Sequence, residues 1–173
     1  MLHSAILRTI ALFLAVALLL PSAALAGIGS KDAVYNGGTV PIFKDIKDPV
    51  TGAFDLKDEK EFRFVCGKDK KVFAIPYDKF IDLEYGQKAG RRVGAALATA
   101  LLVSPVGLFL LMSKKRKHFI TIGYKDAEGK DQVAVFEMGK DIVRNSLAII
   151  ETRSGKKIEY QDKEAEKAGK SGN

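Results

Sequence analysis

Apolar and polar residues alternate along much of this chain, and the alternation predicts a series of short strands. In "EFRFVCG", Phe62 and Phe64 fall on one side and Glu61 and Arg63 on the other. "FIDLEYG" repeats the pattern, with Ile81, Leu83 and Tyr85 opposed to Asp82 and Glu84. "AFDLKD" alternates over a shorter length. "VFAIP" reads as a continuous apolar strand ended by Pro76. Ala33 to Tyr35 predicts a strand entering a turn at Asn36-Gly37-Gly38. "HFITIGY" and "QVAVFEM" are two more strands. Asp126 to Gly129 supply turn chemistry between them, so the pair predicts an antiparallel hairpin in the same sheet as "FIDLEYG".

The period then changes. Ile142, Val143, Leu147 and Ile150 recur at helical spacing, and Gly155 stands where a helix C-cap belongs. This predicts a helix from about Lys140 to Arg153 whose apolar stripe closes the sheet. "KKIEY" suggests a short terminal strand. Residues 159–173 are uniformly polar and predict a disordered tail.

One stretch breaks both periods. Val93 to Met112 carries no charge, with Arg91-Arg92 before it and Lys114-Lys115-Arg116-Lys117 after it. Twenty helical residues would measure ~30 Å, enough to cross a bilayer. Ser104-Pro105 and Gly107 lie mid-run, however, and proline interrupts a helix interior. Strands on both sides of the run also read as parts of one sheet. A helical hairpin reconciles these observations, with Val93 to Val103 as one arm, Pro105 at the turn and Val106 to Ser113 as the return. Gly94, Ala95, Ala96, Ala98 and Ala100 would let the arms pack closely. A single span and burial against protein remain the alternatives.

Composition adds location. The chain has 173 residues and a net charge of +7. Eight of its 28 basic residues lie between Glu84 and Asp126, where no acidic residue occurs; that leaves 20 basic against 21 acidic elsewhere. The excess charge therefore brackets the apolar run, which suits an anionic membrane surface and excludes the basic face with interleaved aromatics of a nucleic-acid binder. Arg91, Arg92, Lys114, Lys115, Arg116 and Lys117 are the candidate membrane-contact residues. At the N-terminus, "TIALFLAVALLL" followed by "PSAALA" reads as a signal peptide, residues 1–26, with a small-x-small cleavage site at Ala24-Leu25-Ala26. This predicts an exported protein on the periplasmic face of a bacterial membrane. An uncleaved anchor is the other reading. Cys66, the one cysteine, sits in an apolar strand and predicts a buried thiol.

About seven strands followed by one amphipathic helix, and in particular "VFAIPYDKFIDLEYG" followed by "KKRKHFITIGYKDAEGKDQVAVFEMGKDIVRNSLAIIE", resemble bacterial pleckstrin-homology-like (PH-like) domains. The resemblance covers roughly residues 32–158. It implies a mainly β, α+β fold: an antiparallel β-barrel or sandwich with a C-terminal capping helix, carrying 93–112 as an apolar insertion. That insertion departs from the family pattern. So does the charge, since phosphoinositide-binding PH domains keep their basic residues in the first hairpin; no headgroup site is carried over.

Chemistry is sparse. Beyond residue 26 the only histidine is His118, which follows four cations and lacks a "GxSxG" partner, so it reads as a histidine at a strand start or an interface. No His/Cys pair has metal-ligand spacing, and "YNGGTV" lacks the lysine and helix of a phosphate loop. The expectation is a non-enzymatic, membrane-associated PH-like module without catalytic, metal or cofactor residues, binding a lipid surface or a protein partner and no nucleic acid. The alternatives are a soluble or oligomeric structural protein that assembles through the apolar hairpin, and a single-span membrane protein.

Overall fold

A computed structural model describes residues 32–43, 48–87 and 117–171. Residues 1–26, expected as a signal peptide, the apolar run 93–112 and five of the six candidate contact residues lie outside the described residues. The described part is mainly β. Eight strands form one mixed sheet in the order β4-β3-β2-β1-β7-β6-β5-β8. They are β1 (Ala33–Gly38), β2 (Val50–Asp55), β3 (Glu61–Cys66), β4 (Val72–Pro76), β5 (Phe80–Gly86), β6 (His118–Lys125), β7 (Asp131–Met138) and β8 (Ile158–Tyr160). Two helices follow β7: α1 (Val143–Ser154) and α2 (Lys163–Ser171).

The expected hairpin is present. β6 pairs antiparallel with β7 along its whole length, and β5 pairs with β6 in the same sheet. β1 joins the halves by pairing with both β2 and β7. The sheet curls, because Phe73 of β4 meets Tyr124 of β6 at a ring-centroid distance of 6.0 Å although four strands lie between theirs in the order. Phe136 of β7 sits at the centre, within 6.4 Å of the rings of Tyr35, Phe54, Phe62, Phe64 and Phe73. Cys66 is buried and unbridged, and burial raises its thiol pKa.

α1 closes this core as its spacing predicts. Val143, Leu147 and Ile150 are buried in the cluster, and Gly155 ends the helix at φ 64°, the left-handed conformation glycine adopts without penalty. Arg153 in the last turn donates to the carbonyls of Leu56 and Asp58 at 2.6 and 2.8 Å. Its cation also complements the helix dipole.

Four expectations need correction. The turn at Asn36-Gly37-Gly38 is instead the end of β1: the strand runs on through a bulge between Tyr35 and Gly37. Gly38 holds φ 128°, and a Cβ there would collide with the Val133 carbonyl, so the glycines permit a bulge and a close approach where a turn was expected. In β5 the alternation is out of phase at one end. A bulge between Phe80 and Asp82 buries Phe80 and exposes Ile81, while Leu83 and Tyr85 point inward as expected. β4 is also not continuously buried, because it is an edge strand with Val72, Ala74 and Pro76 exposed.

The fourth correction concerns the tail. Ile158–Tyr160 pairs in parallel with β5, so the sheet is mixed and not purely antiparallel. Residues 163–171, expected to be disordered, form α2. Asp162 caps it by accepting from the Ala165 N–H at 2.7 Å. The buried positions are Ala165 and Gly169, spaced i,i+4. A Cβ added at Gly169 would come within 3.2 Å of side-chain atoms of Tyr160, Leu147 and Tyr85, so only a glycine fits this close approach. A contact face made of Ala and Gly has little hydropathy, which is why the segment reads as polar.

Candidate functional site

The strand register brings distant positions to one rim of the sheet. β1 and β6 begin there, and β5 and β7 end there. Ala33 stands opposite Met138, Met138 opposite His118, and Phe119 opposite Gly86. Backbone hydrogen bonds complete the rim, with Gly139 N–H to the Asp32 carbonyl at 2.9 Å and Lys117 N–H to the Gln87 carbonyl at 3.4 Å. Residues 1–31 join the domain at Asp32, and residues 88–116 join it at Gln87 and Lys117. Both apolar runs of the sequence are therefore attached at the same rim.

The side chains at this rim are paired. Lys117, the one candidate contact residue among the described residues, places its ammonium 2.8 Å from the Glu137 carboxylate. The Glu137 side chain is buried and that of Lys117 is 36 % exposed, so Lys117 neutralises an internal carboxylate while keeping one side in water. The Tyr85 hydroxyl and His118 Nδ1 share a hydrogen bond at 2.6 Å, with their rings stacked. Burial depresses the His118 pKa, with the Glu137 charge opposing that shift, and burial raises the Tyr85 hydroxyl. Beside them Gln161 takes the space over Gly86. Its backbone N–H reaches the Tyr85 carbonyl at 3.0 Å, and its side-chain amide donates to Glu84 at 3.0 Å. His118 thus begins a strand, as expected, and its imidazole is engaged with a phenol. The residues that sequence reasoning missed are Glu137, Gln161 and Gly86. A lone buried acid after an apolar run, "VAVFEM", was the only signal for any of them.

At the opposite end of β6, a cavity of ≈ 420 Å³ lies between β4 and the β6–β7 turn, floored by Phe73, Ile75, Pro76 and Tyr124. Of its charged neighbours, Lys125 pairs with Asp131 at 2.6 Å and Asp126 accepts from Gln132 and from two backbone N–H groups, while Lys79 completes the lining. Among the described residues, no group of three or more His, Cys, Asp or Glu is placed to hold a metal ion. Also among them, no helix is long and apolar enough to cross a membrane. The Tyr77 hydroxyl is buried, and the Arg153 guanidinium lies over the Tyr77 ring at 6.0 Å.

No protein-family model matches this chain, and no curated protein matches it.

Proposed function

We propose that this chain is a non-enzymatic, exported PH-like module that sits against an anionic membrane by the rim described above and presents the rest of the sheet to a lipid surface or a protein partner. The observation that carries this reading is the convergence of attachment points. Residues 32, 87 and 117 lie at one rim, and each joins the domain to a segment rich in apolar residues. Arg91, Arg92, Lys114, Lys115 and Arg116 flank the apolar run close in sequence to that rim, where headgroup attraction contributes ~1 kcal/mol per residue. The PH-like reading draws support from the antiparallel order β4-β3-β2-β1-β7-β6-β5, with β8 added in parallel beyond β5, and from the helix that follows β7 in the chain. The pairing of β5 with β6 speaks against a single crossing by 93–112, because one crossing would separate paired strands across the bilayer. A re-entrant hairpin has no such conflict.

Flotation with phosphatidylcholine vesicles, with and without phosphatidylserine, tests the reading. The protein should float with the anionic vesicles, and replacing Arg91, Arg92, Lys114, Lys115 and Arg116 with Gln should weaken flotation most at low salt, where charge is least screened. A second test places single cysteines at the exposed positions Asp78→Cys and Glu128→Cys in a Cys66→Ala background. Both should react with an impermeant thiol reagent from the same side of the membrane. Reaction from opposite sides would establish a span, and recovery of all protein in the soluble fraction would favour the structural alternative.

A further inference from the structure

The β1–β7–β6–β5 half of the sheet has a second buried face. The inner core takes Ala134, Phe136 and Met138 from β7, Ile120, Ile122 and Tyr124 from β6, and Leu83 and Tyr85 from β5. Because successive side chains alternate, Val133 and Val135, Phe119 and Thr121, and Val34 of β1 project from the opposite face. They do not join the core cluster, yet Val135 is 0 %, Val133 1 % and Phe119 3 % exposed. Neighbours within the sheet do not account for this. Val135 stands between Gly37 and the small side chain of Thr121, and Val133 stands opposite Gly123, over which the Asp82 carboxylate leans; none of these covers a valine from above. The helices pack elsewhere: α1 against α2 and the 3-10 turn Tyr77–Lys79, and α2 against β5 and β8. The polar groups of this face have partners, Glu137 with Lys117 and Glu84 with Gln161. Asp82 is the remaining acid of this face; it lies at the Gly123 end, and burial raises its pKa, which favours the neutral form under a cover.

We infer that this outward face is the docking site of the chain's own apolar segment, residues 93–112, when the protein is in water. Three observations favour that occupant. The chain leaves the domain at Gln87 and re-enters it at Lys117, at the margin of the face, so the segment between them is present at high effective concentration compared with any second molecule. Its size fits. From Phe119 to Gly123 the face extends ~14 Å along the strands, and its four strands span ~14–19 Å across them; an eleven-residue helical arm, Val93 to Val103, measures ~16 Å. Its chemistry also fits, since Gly94, Ala95, Ala96, Ala98 and Ala100 allow close approach to a valine-lined sheet. The N-terminal run attaches at the same rim but reads as a leader lost at Ala26, which leaves 93–112 as the apolar length available. This inference does not rest on the membrane reading. It concerns where the segment lies when no bilayer is offered.

Cysteine cross-linking tests it. In the full chain carrying Cys66→Ala, Thr121→Cys is combined with Ala98→Cys and oxidised without vesicles or detergent. A reducible cross-link within one molecule is expected. A dimeric cross-link would assign the face to a second copy and overturn the inference. So would a cross-link from Thr121→Cys to Leu14→Cys in place of Ala98→Cys, which would assign it to the N-terminal run. A separate measurement avoids dependence on the geometry of the pair. Thr121→Cys alone should label at least ~10-fold faster when residues 93–112 are replaced by a Gly-Ser linker than in the intact chain. Equal labelling rates, fast or slow, would overturn the inference. An open face in water would leave vesicle flotation unaffected, and a failure to float would leave the cross-link unaffected, so the two readings fail separately.

Discussion

The two halves of the sheet treat their outer faces differently. In β3 and β4 burial alternates strictly: Phe62, Phe64, Phe73 and Ile75 are buried while Arg63, Val65, Val72 and Ala74 face outward and are half-buried or exposed. In β7 everything from Gln132 to Met138 is buried, and in β6 everything from Phe119 to Tyr124. The first half is an ordinary one-sided sheet with water on its back. The second is packed on both faces, and the segment attached to its rim is the most apolar stretch beyond the leader. A strand's back face stays dry only if something covers it.

The sharpest way to break this contrast is to place the same charge on both backs. Val135→Asp should cost roughly 3–5 kcal/mol, because it buries an unpaired carboxylate, whereas Val72→Asp, at 49 % exposure on β4, should change stability by no more than ~0.5 kcal/mol. Equal midpoints in urea denaturation would mean that the β7 back is open. The cap over the shared inner core comes next. Leu147→Ala should cost ~2–5 kcal/mol by the same measurement, since the residue is buried between α1 and the sheet; a change of a few tenths would show that α1 is dispensable. Lys117→Met sharpens the contrast at the rim. It leaves Glu137 buried without its cation and should cost ~1–3 kcal/mol at neutral pH, with part of the loss recovered by the double variant Lys117→Met, Glu137→Gln.

The smallest effect is a pH dependence. Burial lowers the His118 pKa in the fold below its ordinary value of 6.5, so as pH falls through that value the unfolded chain takes up a proton before the folded one does. The His118 contribution to stability is fully present above the ordinary value and is lost as pH falls through the folded one. Comparing urea midpoints at pH ~8 and pH ~5 should show a drop that His118→Gln reduces. The carboxylates titrate over part of the same range, so the test is the difference between the two proteins. An identical drop in both would mean that His118 is not its source.

Much of the architecture was legible before any coordinates. The alternation in "EFRFVCG" reported a half-buried strand because its outer residues do meet water. The helical spacing of Val143, Leu147 and Ile150 with Gly155 behind them identified the cap, because a helix must bury one stripe and glycine alone enters the left-handed turn freely. "HFITIGY" and "QVAVFEM" announced a hairpin through the turn residues between them. Hydropathy order along the chain carries this information directly, since it records which side chains avoid water in each short element.

Other features depend on distances that no local pattern records. Ile81 faces outward because a bulge shifts the register of β5 against β6, and a register is a property of two strands. α2 was hidden because Ala165 and Gly169 bind by closeness and not by size. Glu137, Gln161 and Gly86 meet at one rim although they are far apart along the chain. The gathering of residues 32, 87 and 117 at that rim follows from strand order, and the dryness of Val133 and Val135 from what lies over them. Composition and periodicity marked the apolar run and its basic flanks as the unusual part of this chain. The pairing of β5 with β6 across it is what brings Gln87 and Lys117, on either side of it, together, because one antiparallel neighbour ends at the edge where the other starts.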